Sequence, residues 1–191
     1  MADANRGYKQ WKNLDELAMS MKNLHAAGLD AMEDPAELTA AQWAELQIKV
    51  GDFALIPDRP MRPAYKALDL FSPEMGVYFN IHPDTMGTFK EAVQLGKKIK
   101  SNNRGLMIGD SSLVGPACTF WQQLAIGVGA SWVEALEKPQ ESTVFQECVK
   151  EMSTAINSQG KVKITKLRPG FGVEMDEVKL KSLSDAYTQL F

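Results

Sequence analysis

The sequence predicts an α/β fold, a parallel sheet with helices packed on it. Three observations lead there. Short apolar runs alternate along the chain with longer stretches at helical spacing. The connections are short and end in glycine or in an ionisable residue close to proline, as in Glu33-Asp34-Pro35, Pro57-Asp58 and His82-Pro83. The apolar runs are continuous rather than alternating, which suits strands covered on both faces. Two architectures satisfy this pattern, an open doubly wound sheet and a barrel.

Ala2 to Asn5 is a short strand end. Leu14 to Ala27 carries Leu14, Leu17, Ala18, Met21 and Leu24 at helical spacing and stops at Gly28. Leu29 to Met32 is a strand, and Ala36 to Val50 a helix closed by Gly51. Phe53 to Ile56 is a strand and Arg62 to Phe71 a weaker helix. Val77 to Ile81 is a strand, and Thr88 to Lys100 the helix after it. Leu106 to Ile108 is a strand leading into Gly109-Asp110-Ser111-Ser112. Pro116 to Val128 is a helix with proline in its first turn. Trp132 to Leu136 is a strand and Ser142 to Ile156 the last long helix. Val162 to Leu167 is strand-like, ahead of Pro169-Gly170-Phe171-Gly172.

The chain has 191 residues, 45% hydrophobic and 24% charged, with a formal charge of −3. An acidic balance argues against a nucleic-acid binder, whose affinity rests on neutralising phosphates. No apolar run approaches the ~20 residues of a membrane helix. The N-terminus lacks the basic and apolar regions of a secretion signal. Cys118 and Cys148 have no metal-ligand spacing and read as free thiols of a reducing cytoplasm. The Rossmann glycine fingerprint and the Walker loop are absent. No linker divides the chain, so residues 1–191 read as one domain.

The polar residues at the strand ends carry the chemistry. In order they are Asp3, Glu33, Asp58, His82 and Asp110, then Glu134 and Glu137. On a barrel these ends converge on one face, which holds the active site. Three carboxylates meeting there would favour Mg²⁺ over Zn²⁺. Taken singly, Asp3, Glu33 and Asp58 read equally well as helix caps or solvated groups. Their recurrence on three consecutive strands favours a common site. Asp34 and Asp84 read as caps of the helices after them. His82 alone reads as structural. Met19, Met21, Met75, Met86 and Met107 read as core filler, and Lys97, Lys98 and Lys100 as a solvated helix face.

Asp3-Ala4-Asn5-Arg6-Gly7-Tyr8 and Glu33-Asp34-Pro35 resemble the third and fourth barrel strands of the enolase superfamily, in its mandelate racemase/muconate lactonizing enzyme branch. Met107 to Gly115 resembles that family's seventh-strand segment, and Pro169-Gly170-Phe171-Gly172-Val173-Glu174 its C-terminal P-G-x-G motif. The resemblance covers nearly the whole chain. It implies a partial (β/α)8 TIM barrel of about six βα units, where a closed barrel has eight.

The resemblance also implies a Mg²⁺ site made by Asp3, Glu33 and Asp58. It implies removal of the proton next to a substrate carboxylate, with the metal offsetting the charge that develops. Racemases, epimerases, dehydratases and cycloisomerases share that step.

Three departures qualify it. Against the family pattern the chain is expected to lack the K-x-K strand before Asp3 and the amino-terminal capping domain, and the sixth-strand segment Val77 to His82 has no lysine. Asn80 and His82 share strand parity and could both face the site. His82 is then a replacement base, oriented by Asp110, or a hydrogen-bond partner of a carboxylate. The alternatives are a truncated, catalytically silent portion needing a partner segment, and an open α/β small-molecule binding domain. The expected partner is a small carboxylate substrate, with no nucleic acid and no membrane. Open barrel edges would favour self-association.

Overall fold

The computed structural model describes residues 1–82, 85–110, 116–134 and 148–189. They fall into two compact units, residues 1–109 with 128–132, and residues 110–127 with 133–191.

The first unit alternates strand and helix. In order these are β1 (Ala2–Asp3), α1 (Leu14–Ala26), β2 (Ala31–Glu33), α2 (Ala40–Val50), β3 (Ala54–Ile56), α3 (Ala64–Leu70), β4 (Tyr78–Ile81), α4 (Phe89–Ser101) and β5 (Gly105–Ile108). The unit closes with Trp132 of β6 (Trp132–Val133). β1, β2 and β3 pair in parallel, as do β4 and β5. Val77 N donates to Leu55 O (3.1 Å) and Asn80 N to Pro57 O (3.0 Å), joining β4 to β3. Ser131 N donates to Leu106 O (2.6 Å), which brings β6 beside β5.

Spatial order therefore matches chain order. A doubly wound sheet reverses its order at a switch point. Successive right-handed crossovers without a reversal put their helices on one side of the sheet and curl it into a barrel arc. The first unit is a partial barrel.

Both faces of the arc are buried, as the continuous apolar runs require. Met32, Leu55, Phe79, Ile81, Leu106 and Ile108 alternate with the inner residues and are 4% exposed or less. Ala31, Ala54, Ile56 and Met107 form the inner cluster, with Val77, Tyr78 and Trp132 packed on it. Small residues make room for the large rings. A Cβ at Gly105 would collide with the Tyr78 ring, which packs tilted by 60° against Trp132 with ring centroids 5.0 Å apart.

The helices bury the stripes their spacing predicts. α2 buries Trp43, Leu46 and Val50, and α4 buries Ala92, Leu95, Gly96 and Ile99. α2 begins at Ala40 rather than Ala36 because Thr39 and Gln42 form a capping box. α3 likewise begins at Ala64 rather than Arg62. Thr88 and Glu91 form the equivalent box on α4, and Asp84 lies outside the described residues. Two surface expectations change. Met19 is 58% exposed, whereas Met21, Met75, Met86 and Met107 are buried. Lys98 is not simply solvated, since its Nζ donates to Leu68 O (2.6 Å).

In the second unit, α5 (Pro116–Val128) precedes β7 (Val149–Met152), β8 (Thr154–Ile156), β9 (Val162–Ile164), β10 (Val173–Met175) and α6 (Glu177–Thr188). β7 pairs antiparallel with β10 and β8 with β9. The helix expected from Ser142 to Ile156 is thus replaced, from Val149 on, by two strands. The break is Ser153, whose N donates to Gly172 O (2.8 Å) and whose O accepts from Thr165 N (2.8 Å). Long-range partners override the helical spacing of Val149, Met152 and Ile156. Residues 135–147, with Leu136 and Glu137, lie outside the description. Both cysteines are buried and neither forms a disulfide. No helix among the described residues is long and apolar enough to cross a membrane.

Candidate functional site

Register places the strand-end carboxylates. Asp3 lies opposite Glu33, and Glu33 opposite Ile56 of the inner cluster. Asp58 comes two residues after Ile56. Asn80 lies opposite Met107, also of the inner cluster. Alternation puts Asp3, Glu33 and Asn80 on the inner face.

Each acid is engaged by a close neighbour in sequence or in space. Exposed Asp3 accepts from the backbone N of Asn5 (2.8 Å). Buried Glu33 accepts from Asn80 Nδ2 at 2.8 Å. Asn80 is 1% exposed, and its Oδ1 has no hydrogen-bond partner. Buried Asp58 accepts from Arg62 Nε (2.7 Å) through Oδ1, and its Oδ2 pairs with Arg62 Nη2. This is a two-pronged guanidinium–carboxylate pair.

Asp34 corrects a reading from sequence. It does not cap α2, because Thr39 does so five residues later. Instead its buried side chain caps the turn after β3. Oδ1 accepts from Asp58 N (3.0 Å) and Oδ2 from Arg59 N (3.1 Å). Burial pushes its pKa up to about 6. The Arg59 N–H bond and the Arg62 and Arg6 charges act the other way, and Asp3 adds to the rise.

His82 is half-buried and comes directly after β4. Gly109 explains how it fits. A Cβ there would stand 2.7 Å from Asn80 Nδ2 and 2.9 Å from His82 Cδ2. Glycine at the end of β5 thus lets both side chains crowd against that backbone. Half-buried Asp110 is the next residue and opens the second unit. Glu134 is exposed. A cleft of about 580 Å³ lies among Asn5, Arg6, Tyr8, Lys9, Trp11 and Glu37.

Sequence reasoning assigned Asp34 to the wrong cap and missed Arg62 and Gly109. Arg62 stands four residues after Asp58, a spacing that pairs charges on helices. Pro60 between them hides the signal, since it argues against a helix there. Gly109 carries no periodicity.

The donor chemistry of Asp3, Glu33 and Asp58 suits a hard cation. The arrangement does not. Among the described residues no three His, Cys, Asp or Glu side chains are grouped so that they could hold a metal ion. Arg62 takes both oxygens of Asp58.

The first unit defines a class, the parallel (β/α) barrel with polar groups on its carboxyl rim. Solved structures of enolase-superfamily members share this fold over about half of their own length. The N-succinyl Arg/Lys racemase of Bacillus cereus has a TM-score of 0.66 at 17% identity, over 95% of this chain and 46% of its own. A mandelate racemase/muconate lactonizing protein of Herpetosiphon aurantiacus gives 0.64 at 20%, over 91% and 47%. The dipeptide epimerase of Cytophaga hutchinsonii, complexed with Mg and the dipeptide D-Ala-L-Val, gives 0.68 at 13%, over 94% and 47%. The chain spans about half the length of these structures. No protein-family profile and no curated protein matches it.

Proposed function

We infer that this chain serves enolase-type chemistry, removal of the proton α to the carboxylate of a small substrate. The outcome would be racemisation, epimerisation, elimination or cycloisomerisation. The observation that carries the reading is the inner-face constellation. Glu33 lies in register with Asp3 and is held by Asn80, and His82 shares the strand parity of Asn80.

His82 is the base of this reading. Imidazole titrates in the range that proton abstraction at neutral pH requires. Asn80 fixes Glu33 and keeps Oδ1 as a buried acceptor for a substrate N–H or O–H. Arg6 and Lys9 line the neighbouring cleft with Tyr8 and Trp11, a lining suited to an anionic substrate. Mg²⁺ is the cofactor proposed with this chemistry, after the Mg of the dipeptide epimerase complex; the carboxylates as arranged, with Arg62 on Asp58, do not make a joint site for it.

The test is deuterium exchange at the α-carbon, monitored by NMR in D₂O with MgCl₂. Dipeptides and N-succinyl amino acids are the first panel. Exchange that His82→Ala abolishes, with the circular dichroism unchanged, is the expected result. No exchange by the native chain across the panel overturns the reading in this form. It would favour a silent barrel portion that needs a partner segment, the reading to which the Arg62 hold on Asp58 lends support.

A further inference from the structure

We propose that the Arg62 guanidinium is the resident cation of the Asp58 arm and keeps a divalent ion from being held jointly by Asp3, Glu33 and Asp58. The proposal rests on the reading of those three as the cation ligands.

The pair is built rather than incidental. The Arg62 and Asp58 side chains are only 11% and 6% exposed. Nε and Nη2 meet the two carboxylate oxygens in the fork geometry that matches guanidinium to carboxylate. The backbone that carries them is fixed at both ends. Asp34 accepts from the N–H groups of Asp58 and Arg59. Met61 N then donates to Asp58 O (2.8 Å) and Arg62 N to Arg59 O (3.2 Å), closing the single turn Arg59–Met61. That turn returns Arg62 onto Asp58.

A carboxylate so held retains lone pairs, so occupancy alone does not exclude a metal. Charge does. A dication at Asp58 would face a guanidinium a few ångströms away with little water between them, where like charges repel far more than in bulk solvent. To bind all three carboxylates, the ion must displace Arg62 into solvent. Arg62 cannot relieve the conflict by losing its proton. The Arg62 charge thus accounts for carboxylates that have the order of a metal site without being grouped as one.

Mn²⁺ binding to the 191-residue chain tests this, read by electron paramagnetic resonance of the free ion. The native chain is expected to bind at least about tenfold more weakly than Arg62→Gln, a difference of about 1.4 kcal/mol. The neutral pair Asp58→Asn/Arg62→Gln should lose the gain. If Arg62→Gln leaves Asp58 buried without a counter-charge and fails to fold in chelator, Mn²⁺ should restore its native circular dichroism. Native binding as tight as that of Arg62→Gln, no binding by either, or no recovery with Mn²⁺ overturns the proposal. The readout is binding, so the proposal can fail while α-proton exchange succeeds, and the reverse.

Discussion

Asn80 on β4 donates its side-chain amide to Glu33 on β2 at 2.8 Å, reaching past β3. Both groups are buried, 1% and 4% exposed. The bond ties two strands that are not neighbours, across the inner face of β3.

Asn80→Ala leaves the Glu33 carboxyl without this donor. The expected loss is about 1–3 kcal/mol, the cost of a buried polar group deprived of its partner. Urea melts of the native chain and the variant measure it. A change under about 0.5 kcal/mol would mean that Glu33 finds another donor at no cost.

Gly109→Ala tests the packing at the end of β5. The new methyl would stand 2.7 Å from Asn80 Nδ2 and 2.9 Å from His82 Cδ2. Overpacking of this kind costs about 1–3 kcal/mol. The variant should also move the His82 imidazole resonances in NMR spectra. Unchanged resonances would show that His82 does not lie against this backbone.

The second unit has its own tight point. Gly172 has φ +65°, and a Cβ there would stand 2.8 Å from Gln123 Nε2 and overlap Ser153 Oγ. Its carbonyl also accepts from Ser153 N. Gly172→Ala should destabilise by more than the ~1 kcal/mol of a left-handed alanine alone, because the methyl displaces Ser153 as well. Limited proteolysis should then cut first within residues 149–175. Cleavage confined to residues 1–109 would refute that assignment.

Local patterns revealed most of the first unit and little of the second. Trp43, Leu46 and Val50, or Ala92, Leu95 and Ile99, repeat at helical spacing because each helix lies on the sheet. The alternation of strands and helices was equally readable. Val149 to Ile156 misled because its spacing is helical, while Gly172 and Thr165, far along the chain, hold it as strands. α6 buries no residue, so it offered no apolar stripe to find. At the site, the order of Asp3, Glu33 and Asp58 was legible. The partner that holds each acid was not, because Asn80 and Glu33 stand 47 residues apart.

Asp34 gives the last prediction, a pH dependence of known sign. Its carboxyl is raised from 3.8 to about 6 in the folded chain, mainly by burial. Below about pH 4 it is protonated in both states and costs nothing. As pH rises from about 4 towards about 6, the unfolded chain releases the proton while the folded chain keeps it, so stability falls. Above that range both states are ionised and the cost is constant, about 3 kcal/mol for a shift of this size. Asp34→Asn keeps an oxygen acceptor for the Asp58 and Arg59 N–H groups but cannot ionise. The difference between native and variant stability should therefore move in favour of the variant between about pH 4 and about pH 7, as urea melts at the two pH values would show. A native-minus-variant difference that is the same at both would mean that Asp34 ionises in the folded chain as readily as in the unfolded one, and that the Arg59 N–H and the Arg62 and Arg6 charges offset its burial in full.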